Sequence, residues 1–236
     1  MKILAITGVI DLQSRMGCVA QWWALLKSVH EMGHSVILTT YLGDSIESPH
    51  WKVYPNPCNV ESKLANWFLN KTGIRGVSDN RSQFLIDNYV KPKWERALIN
   101  IIQKEKIEAV LFLTLPIKHF QGIPALIRQK FNIPVLFYDG DLPSSLPKYN
   151  TKSFKFGTYG EKGLSEFDVV ISNSEGCIED LKAIGAKKVS VIHFAADPSV
   201  FSPVKPTHNY ADIFYYGHRV AGKEERFKYM VIEPSK

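Results

Sequence analysis

Cysteine is scarce in this chain. Its 236 residues hold three, Cys18, Cys58 and Cys177, far apart and without a Cys-x-x-Cys pair. That spacing argues against a disulfide framework, a structural zinc and a thioredoxin-type centre, and leaves reduced, interior thiols as the expectation. Long apolar runs are missing as well: no segment approaches the ~18 consecutive apolar residues that a membrane-crossing helix requires. The opening Met1-Lys2-Ile3-Leu4-Ala5-Ile6 is apolar enough for a signal peptide. However, Asp11 and Arg15 follow quickly and no small-residue cleavage site appears, so a first buried strand is expected instead. The sequence also lacks Gly-x-Gly-x-x-Gly, which disfavours NAD and FAD, and Gly-x-x-x-x-Gly-Lys-Ser/Thr, which excludes a P-loop. No Gly-x-Ser-x-Gly elbow, Ser-His-Asp signature or RNA-reading motif is present.

What is present suits a folded α/β chain. Hydrophobic residues make up 45% and charged residues 22%, too apolar for a disordered polymer. A formal net charge of +6 and a pI of about 9.1 favour anionic partners such as nucleotide phosphates or anionic lipid. The excess is modest and spread out, so nucleic-acid binding is not expected.

The order of elements is informative. Lys2 to Gly8 reads as a strand buried on both faces. Val19, Trp22, Trp23, Leu26, Val29 and Met32 recur at helical spacing, and Gly33 closes that helix. His34 to Leu42, rich in β-branched residues, is a second strand, which completes a βαβ unit. The alternation continues with strands at Trp51 to Tyr54, Ala109 to Thr114, Ile133 to Tyr138, Asp168 to Ser172 and Val189 to Phe194. Helices are expected at Ser62 to Lys71, Gln83 to Lys106 (starting anew or kinking at Pro92), Ile123 to Phe131 and Glu175 to Ile184. Such a series predicts a doubly wound α/β fold, a mostly parallel Rossmann-like sheet with helices on both faces. The first domain is expected over 1–197, a proline-punctuated linker over 198–210, and the beginning of a second domain over 211–236, where Ala211 to Tyr216 reads as a fresh strand.

Three loops carry candidate chemistry. Gly8 to Gly17 joins the first strand to the first helix, where Arg15 and the helix amino terminus beside Gly17 suit an anion or a sugar; a purely structural turn is the alternative. Asp139-Gly140-Asp141 follows a strand directly. These carboxylates could serve as a base toward a hydroxyl, bind a divalent metal, or merely form a turn. In Gly217-His218-Arg219-Val220-Ala221-Gly222-Lys223, the guanidinium and ammonium suit a diphosphate, against the alternative of a solvated helix face. His119, His193 and His218 show no metal-ligand spacing. Trp22-Trp23 and Trp67-Phe68 read as core or, if exposed, as an acceptor groove or membrane contact. Residues 60–106 hold nine Lys/Arg against five Asp/Glu, a net of +4 that favours a solvated helical face, with a patch for anionic lipid as the alternative.

Several stretches resemble GT-B glycosyltransferases, family 4 in particular. Leu25 to Val36 looks like the family's passage from first helix to second strand. Val170 to Ser174 with Ile184 to Val189 looks like the last βαβ of its N-terminal domain. Ile192 to Pro203, ending Asp197-Pro198-Ser199-Val200-Phe201-Ser202-Pro203, is similar to its strand-plus-linker. Asp212 to Gly217 and Glu225-Arg226 resemble the spore-maturation (CgeB-like) branch. The resemblance implies an acceptor-side domain facing a nucleotide-sugar-binding domain across a cleft. It implies transfer of a sugar from a nucleoside-diphosphate sugar to a sugar, lipid or protein hydroxyl, with no cofactor or metal. By that resemblance Arg219 and Lys223 stand near the donor diphosphate, with spacing one residue shorter than usual, and Gly17 matches a first-loop glycine. Gly17, Arg15 and His193 are then donor- or substrate-binding candidates, and Asp141, with Asp139 second, the candidate acceptor-side base. The family's paired donor-sugar glutamates would fall beyond Lys236, so the chain is expected to be the acceptor half plus the first turn of the donor half, completed by a separate domain or subunit. A cytoplasmic location is expected, with peripheral contact at the inner membrane face left open. The rivals are a single-domain, metal-dependent GT-A transferase using Asp139 and Asp141, and a noncatalytic GT-B-like scaffold.

Overall fold

Helix and strand boundaries follow local chemistry closely. A computed structural model describes residues 1–10, 19–60, 84–149, 159, 163–199, 202 and 227–234. β1 (Lys2–Thr7) and β2 (Ser35–Thr40) are almost continuously buried, without the polar alternation of a half-exposed strand. α1 (Val19–Glu31) lies between them and stops at Gly33, whose φ of +88° is costly for any residue with a Cβ. β3 (Trp51–Val53) pairs with β2. α2 (Lys91–Glu105) continues a helical run from residue 84 through a π-helical stretch over Ile86–Val90, and Pro92 falls just after that stretch. β4 (Ala109–Leu113), α3 (Ile123–Phe131) and β5 (Val135–Asp139) follow. Then come β6 (Val169–Ser172), α4 (Ile178–Ala183) and β7 (Val189–Val191).

The strands form one seven-stranded sheet in the order β3-β2-β1-β4-β5-β6-β7, with every pairing parallel. The winding direction reverses between β1 and β4, so the crevice beyond their carboxyl ends is the topological switch point. The two faces carry separate cores. On one, Leu4, Ile6, Ile37, Phe112 and Phe137 meet Trp94 and Leu98 of α2, Ile127 of α3 and Leu181 of α4. On the other, Ala5, Val36, Leu38, Tyr138 and Ile171 meet Trp22 and Leu26 of α1. The sheet is therefore covered on both sides, as the doubly wound reading requires.

Two departures from expectation have clear causes. β7 ends at Val191 instead of Phe194, because the Tyr138 hydroxyl donates to the Ile192 carbonyl at 2.5 Å and turns the chain off the ladder. Residues 192–199 then fold back over α1: Phe194 packs against Trp22 and Tyr138, and Lys27 grips Asp197 at 2.5 Å. The last helix opens as a 3-10 turn over Glu175–Cys177 before becoming α4, and Gly185 at φ +102° closes it. The expected helix at Ser62 to Lys71, the expected strand at Ala211 to Tyr216 and the Trp67-Phe68 pair lie outside the described residues. Trp22 is buried and Trp23 half-buried, its indole N–H donating to the Ile10 carbonyl at 2.8 Å.

Candidate functional site

The carboxyl ends of adjacent strands bring their loops onto one rim. Thr114, immediately after β4, adopts φ +41°, an unusual conformation for a β-branched residue and one that costs ~1–3 kcal/mol. Its backbone N–H donates to the Tyr138 carbonyl at 2.8 Å, and its Oγ1 accepts the Gly140 N–H at 2.9 Å. Thr114 thereby ties the β4 loop to the β5 loop. A Cβ placed on Gly8, across the switch point, would lie 3.4 Å from the Thr114 carbonyl oxygen, so the crevice wall there is backbone against backbone.

Asp139 and Asp141 occupy different environments despite their spacing. Asp139 is fully buried. Its Oδ1 accepts the Asp141 N–H at 2.9 Å, and its Oδ2 accepts the Ser145 hydroxyl at 2.6 Å and the Tyr159 hydroxyl. Burial pushes its carboxyl above the usual carboxylate range, opposed by those three donors. Burial, with Asp139 beside it, likewise pushes the Tyr159 phenol upward. Asp139 thus anchors the loop, with both oxygens engaged. Asp141 is exposed, one peptide beyond Gly140. Of the two carboxylates, only Asp141 is presented on the rim.

β6 and β7 complete the rim. Asn173 donates its Nδ2–H to the Gly140 carbonyl at 2.8 Å, while its buried Oδ1 has no partner among the described residues. His193 lies two residues beyond β7, with its ring 64% exposed. Its Nδ1 stands 3.2 Å from the Asn173 carbonyl, and its Nε2 is 3.9 Å from Glu175. Gly140 lies beneath Phe194 and Trp22, where a Cβ would sit 2.8 and 3.0 Å from their ring carbons. Asp141, Asn173 and His193 are therefore linked through Gly140 and Asn173 into one polar edge. Arg15, Gly17, Arg219 and Lys223 lie outside the described residues. Among the described residues no group of three or more His, Cys, Asp or Glu side chains could hold a metal ion. No helix there is long and apolar enough to cross a membrane.

Asn173, Thr114 and Tyr159 go unnoticed in a sequence reading. Asn173 carries a signal, an amide at a strand end in a recognisable βαβ. Thr114 carries none, since its positive φ runs against its side-chain type.

An all-parallel, doubly wound sheet with polar side chains on its carboxyl rim is a Rossmann-like α/β domain, a fold shared with solved structures at low sequence identity. Sucrose-phosphate synthase from Thermosynechococcus elongatus superposes with a TM-score of 0.56 at 16% identity, over 86% of this chain and 51% of that one. A glycosyltransferase from Rickettsia africae covers 86% of this chain and 46% of its own, at 17% identity and a TM-score of 0.41. The chain spans about half the length of these structures. No family profile and no curated protein sequence matches it.

Proposed function

We propose that this chain is the acceptor-side domain of a GT-B glycosyltransferase that moves a sugar from a nucleoside-diphosphate donor to a hydroxyl acceptor. The observation that carries this reading is the parallel sheet with its switch point and the exposed Asp141 on the carboxyl rim beside Asn173 and His193. Asp141 would accept the proton of the attacking hydroxyl in an inverting reaction, or orient that hydroxyl in a retaining one. Asp139 would act through it, holding the loop by its three hydrogen bonds. The charge developing on the leaving diphosphate would fall to Arg15, the backbone near Gly17, Arg219 and Lys223, with His193 at the rim, so that no metal is required. The family 4 and CgeB-like branches, a cytoplasmic location and a peripheral membrane contact remain part of this proposal.

Titration calorimetry with UDP, GDP and their sugars, in EDTA and then with Mn²⁺, tests the reading. It predicts nucleotide-sugar binding that is indifferent to chelation. Transfer measured on the chain, or on the chain with a donor domain supplied, should fall ~10²–10⁴-fold in Asp141→Asn if Asp141 is the base. Absence of any nucleotide binding in both formats would sink the proposal, and binding that appears only with Mn²⁺ would favour the metal-dependent rival.

A further inference from the structure

Residues 192–199 form a strap that lies against the turn carrying Asp141. Phe194 sits over Gly140, and the missing Cβ leaves it room: a Cβ there would lie 2.8 Å from Phe194 Cζ and 3.0 Å from two Trp22 ring carbons. Other elements hold the remaining sides of Gly140. Its N–H donates to Thr114 Oγ1, beyond β4, at 2.9 Å, and its carbonyl accepts Asn173 Nδ2, beyond β6, at 2.8 Å. The next N–H, that of Asp141, donates to Asp139 Oδ1 at 2.9 Å. The Asn173 backbone carbonyl in turn accepts Nδ1–H of His193, the strap residue beside Phe194, at 3.2 Å. The turn and the strap therefore share two connections, one apolar through Phe194 and one polar through Asn173.

The strap is fastened near each end. At one, the Tyr138 hydroxyl donates to the Ile192 carbonyl at 2.5 Å, and the Phe194 ring stacks on Tyr138 with centroids 6.0 Å apart. At the other, Lys27 of α1 donates to Asp197 Oδ2 at 2.5 Å, while the Ser199 N–H and hydroxyl donate to Oδ1 at 2.9 and 2.6 Å. Asp197 pushes the Lys27 ammonium above its usual range, and Lys27 helps hold the Asp197 carboxyl at about 2, so this pair is ionised at neutral pH. Between the fastenings the strap is largely exposed. A segment with so few buried contacts opens locally at lower free energy than the sheet beneath it.

We infer that the strap is a latch on the Asp141 turn: seated, it packs Phe194 over Gly140 and fixes Asp141 on the rim, and when it lifts the turn loosens with it. Phe194 and Lys27 are positioning residues, the first acting on Asp141 through Gly140 and the second through the strap. The strap is also the covalent link to residues 200–236, so a ligand or a movement acting on those residues reaches Asp141 through it. What Asp141 does once fixed rests on the transferase reading above; the mechanical coupling does not.

Amide hydrogen exchange by NMR on the full chain tests the latch. Ile192, whose N–H donates to the Ser172 carbonyl at 2.9 Å, and Ser199 report on the strap. Gly140 and Asp141 report on the turn, and β1 and β4 on the sheet. The decisive variant is Lys27→Met, because the hydrogen bonds and ion pairs of Lys27 among the described residues reach Asp197, Ser199 and Glu31 and not the turn. It should speed exchange at Ile192 and Ser199 by about two- to fivefold, the value of a partly exposed ion pair, and at Gly140 and Asp141 by the same factor. β1 and β4 should be unchanged, and Lys27→Arg, which keeps the cation, should stay within ~2-fold of the parent. Phe194→Ala should raise both pairs of amides roughly tenfold, the value of two lost aromatic contacts. Faster exchange in the strap with Gly140 and Asp141 unchanged, no change at any of these amides, or an equal rise in β1 and β4 overturns the inference. Calorimetry with UDP-glucose separates the two proposals. Coupled exchange without nucleotide-sugar binding sinks only the transferase reading, and the converse sinks only the latch.

Discussion

Gly140→Ala should loosen the strap of residues 192–199 from the domain. Gly140 has no positive φ, so alanine meets no backbone strain, and its effect is one of space alone. The new Cβ would lie 2.8 Å from Phe194 Cζ and 3.0 Å from two Trp22 ring carbons, well inside ordinary contact. Trp22 is 6% exposed and held edge-on by Tyr138 at 5.1 Å, whereas Phe194 is 38% exposed, so Phe194 is the ring that yields. Its displacement forfeits the edge contact to Trp22 at 5.9 Å and the stack on Tyr138 at 6.0 Å. Two aromatic pairs at ~0.5–1.5 kcal/mol each, less ~0.4–1 kcal/mol regained through the stiffer unfolded chain, leave a net loss of ~0–2.6 kcal/mol, centred near ~1.3 kcal/mol. Urea unfolding followed by tryptophan fluorescence measures it, and hydrogen exchange should rise at residues 192–197 before anywhere else. A double-mutant cycle with Phe194→Ala adds a sharper criterion, since the two substitutions should be strongly non-additive. A Gly140→Ala protein as stable as the parent, with unchanged exchange in the strap, would refute the packing argument.

Three further outcomes are expected. Asp139 has a raised carboxyl pKa in the folded state, so its ionisation penalty is absent below the unfolded value near 3.8 and builds as pH rises through the folded value. Asp139→Asn should therefore flatten that limb of the stability–pH curve, and an unchanged curve would mean that the three donors outweigh burial. Asp197 is held at about 2 by Lys27 first, then by Ser199, so its contribution is present above the unfolded 3.8 and is lost as pH falls through about 2. Asp197→Asn should raise hydrogen exchange at residues 197–199 above pH 4 and leave it unchanged at the acid limit. Leu98→Ala, in the α2 core at 0% exposure, should cost ~2–5 kcal/mol, while Trp94→Phe should cost less than its volume suggests. The buried Trp94 indole N–H has no partner among the described residues, so removing it relieves a penalty, and equal costs in calorimetric unfolding would contradict that.

The sequence by itself determined the α/β series, the doubly wound class and the closure of α1 at Gly33. Each rests on chemistry that acts within a few residues: hydrophobic period and a positive φ. The tertiary structure alone decided what the rim residues do. Asp139 and Asp141 are indistinguishable in a string, yet one accepts three buried hydrogen bonds from Ser145, Tyr159 and the loop backbone while the other faces solvent. The early end of β7 depends on a hydroxyl 54 positions upstream, and the pairing of Tyr41 with His119 spans 78. Contacts between residues so far apart are set by strand order, and no local pattern encodes them.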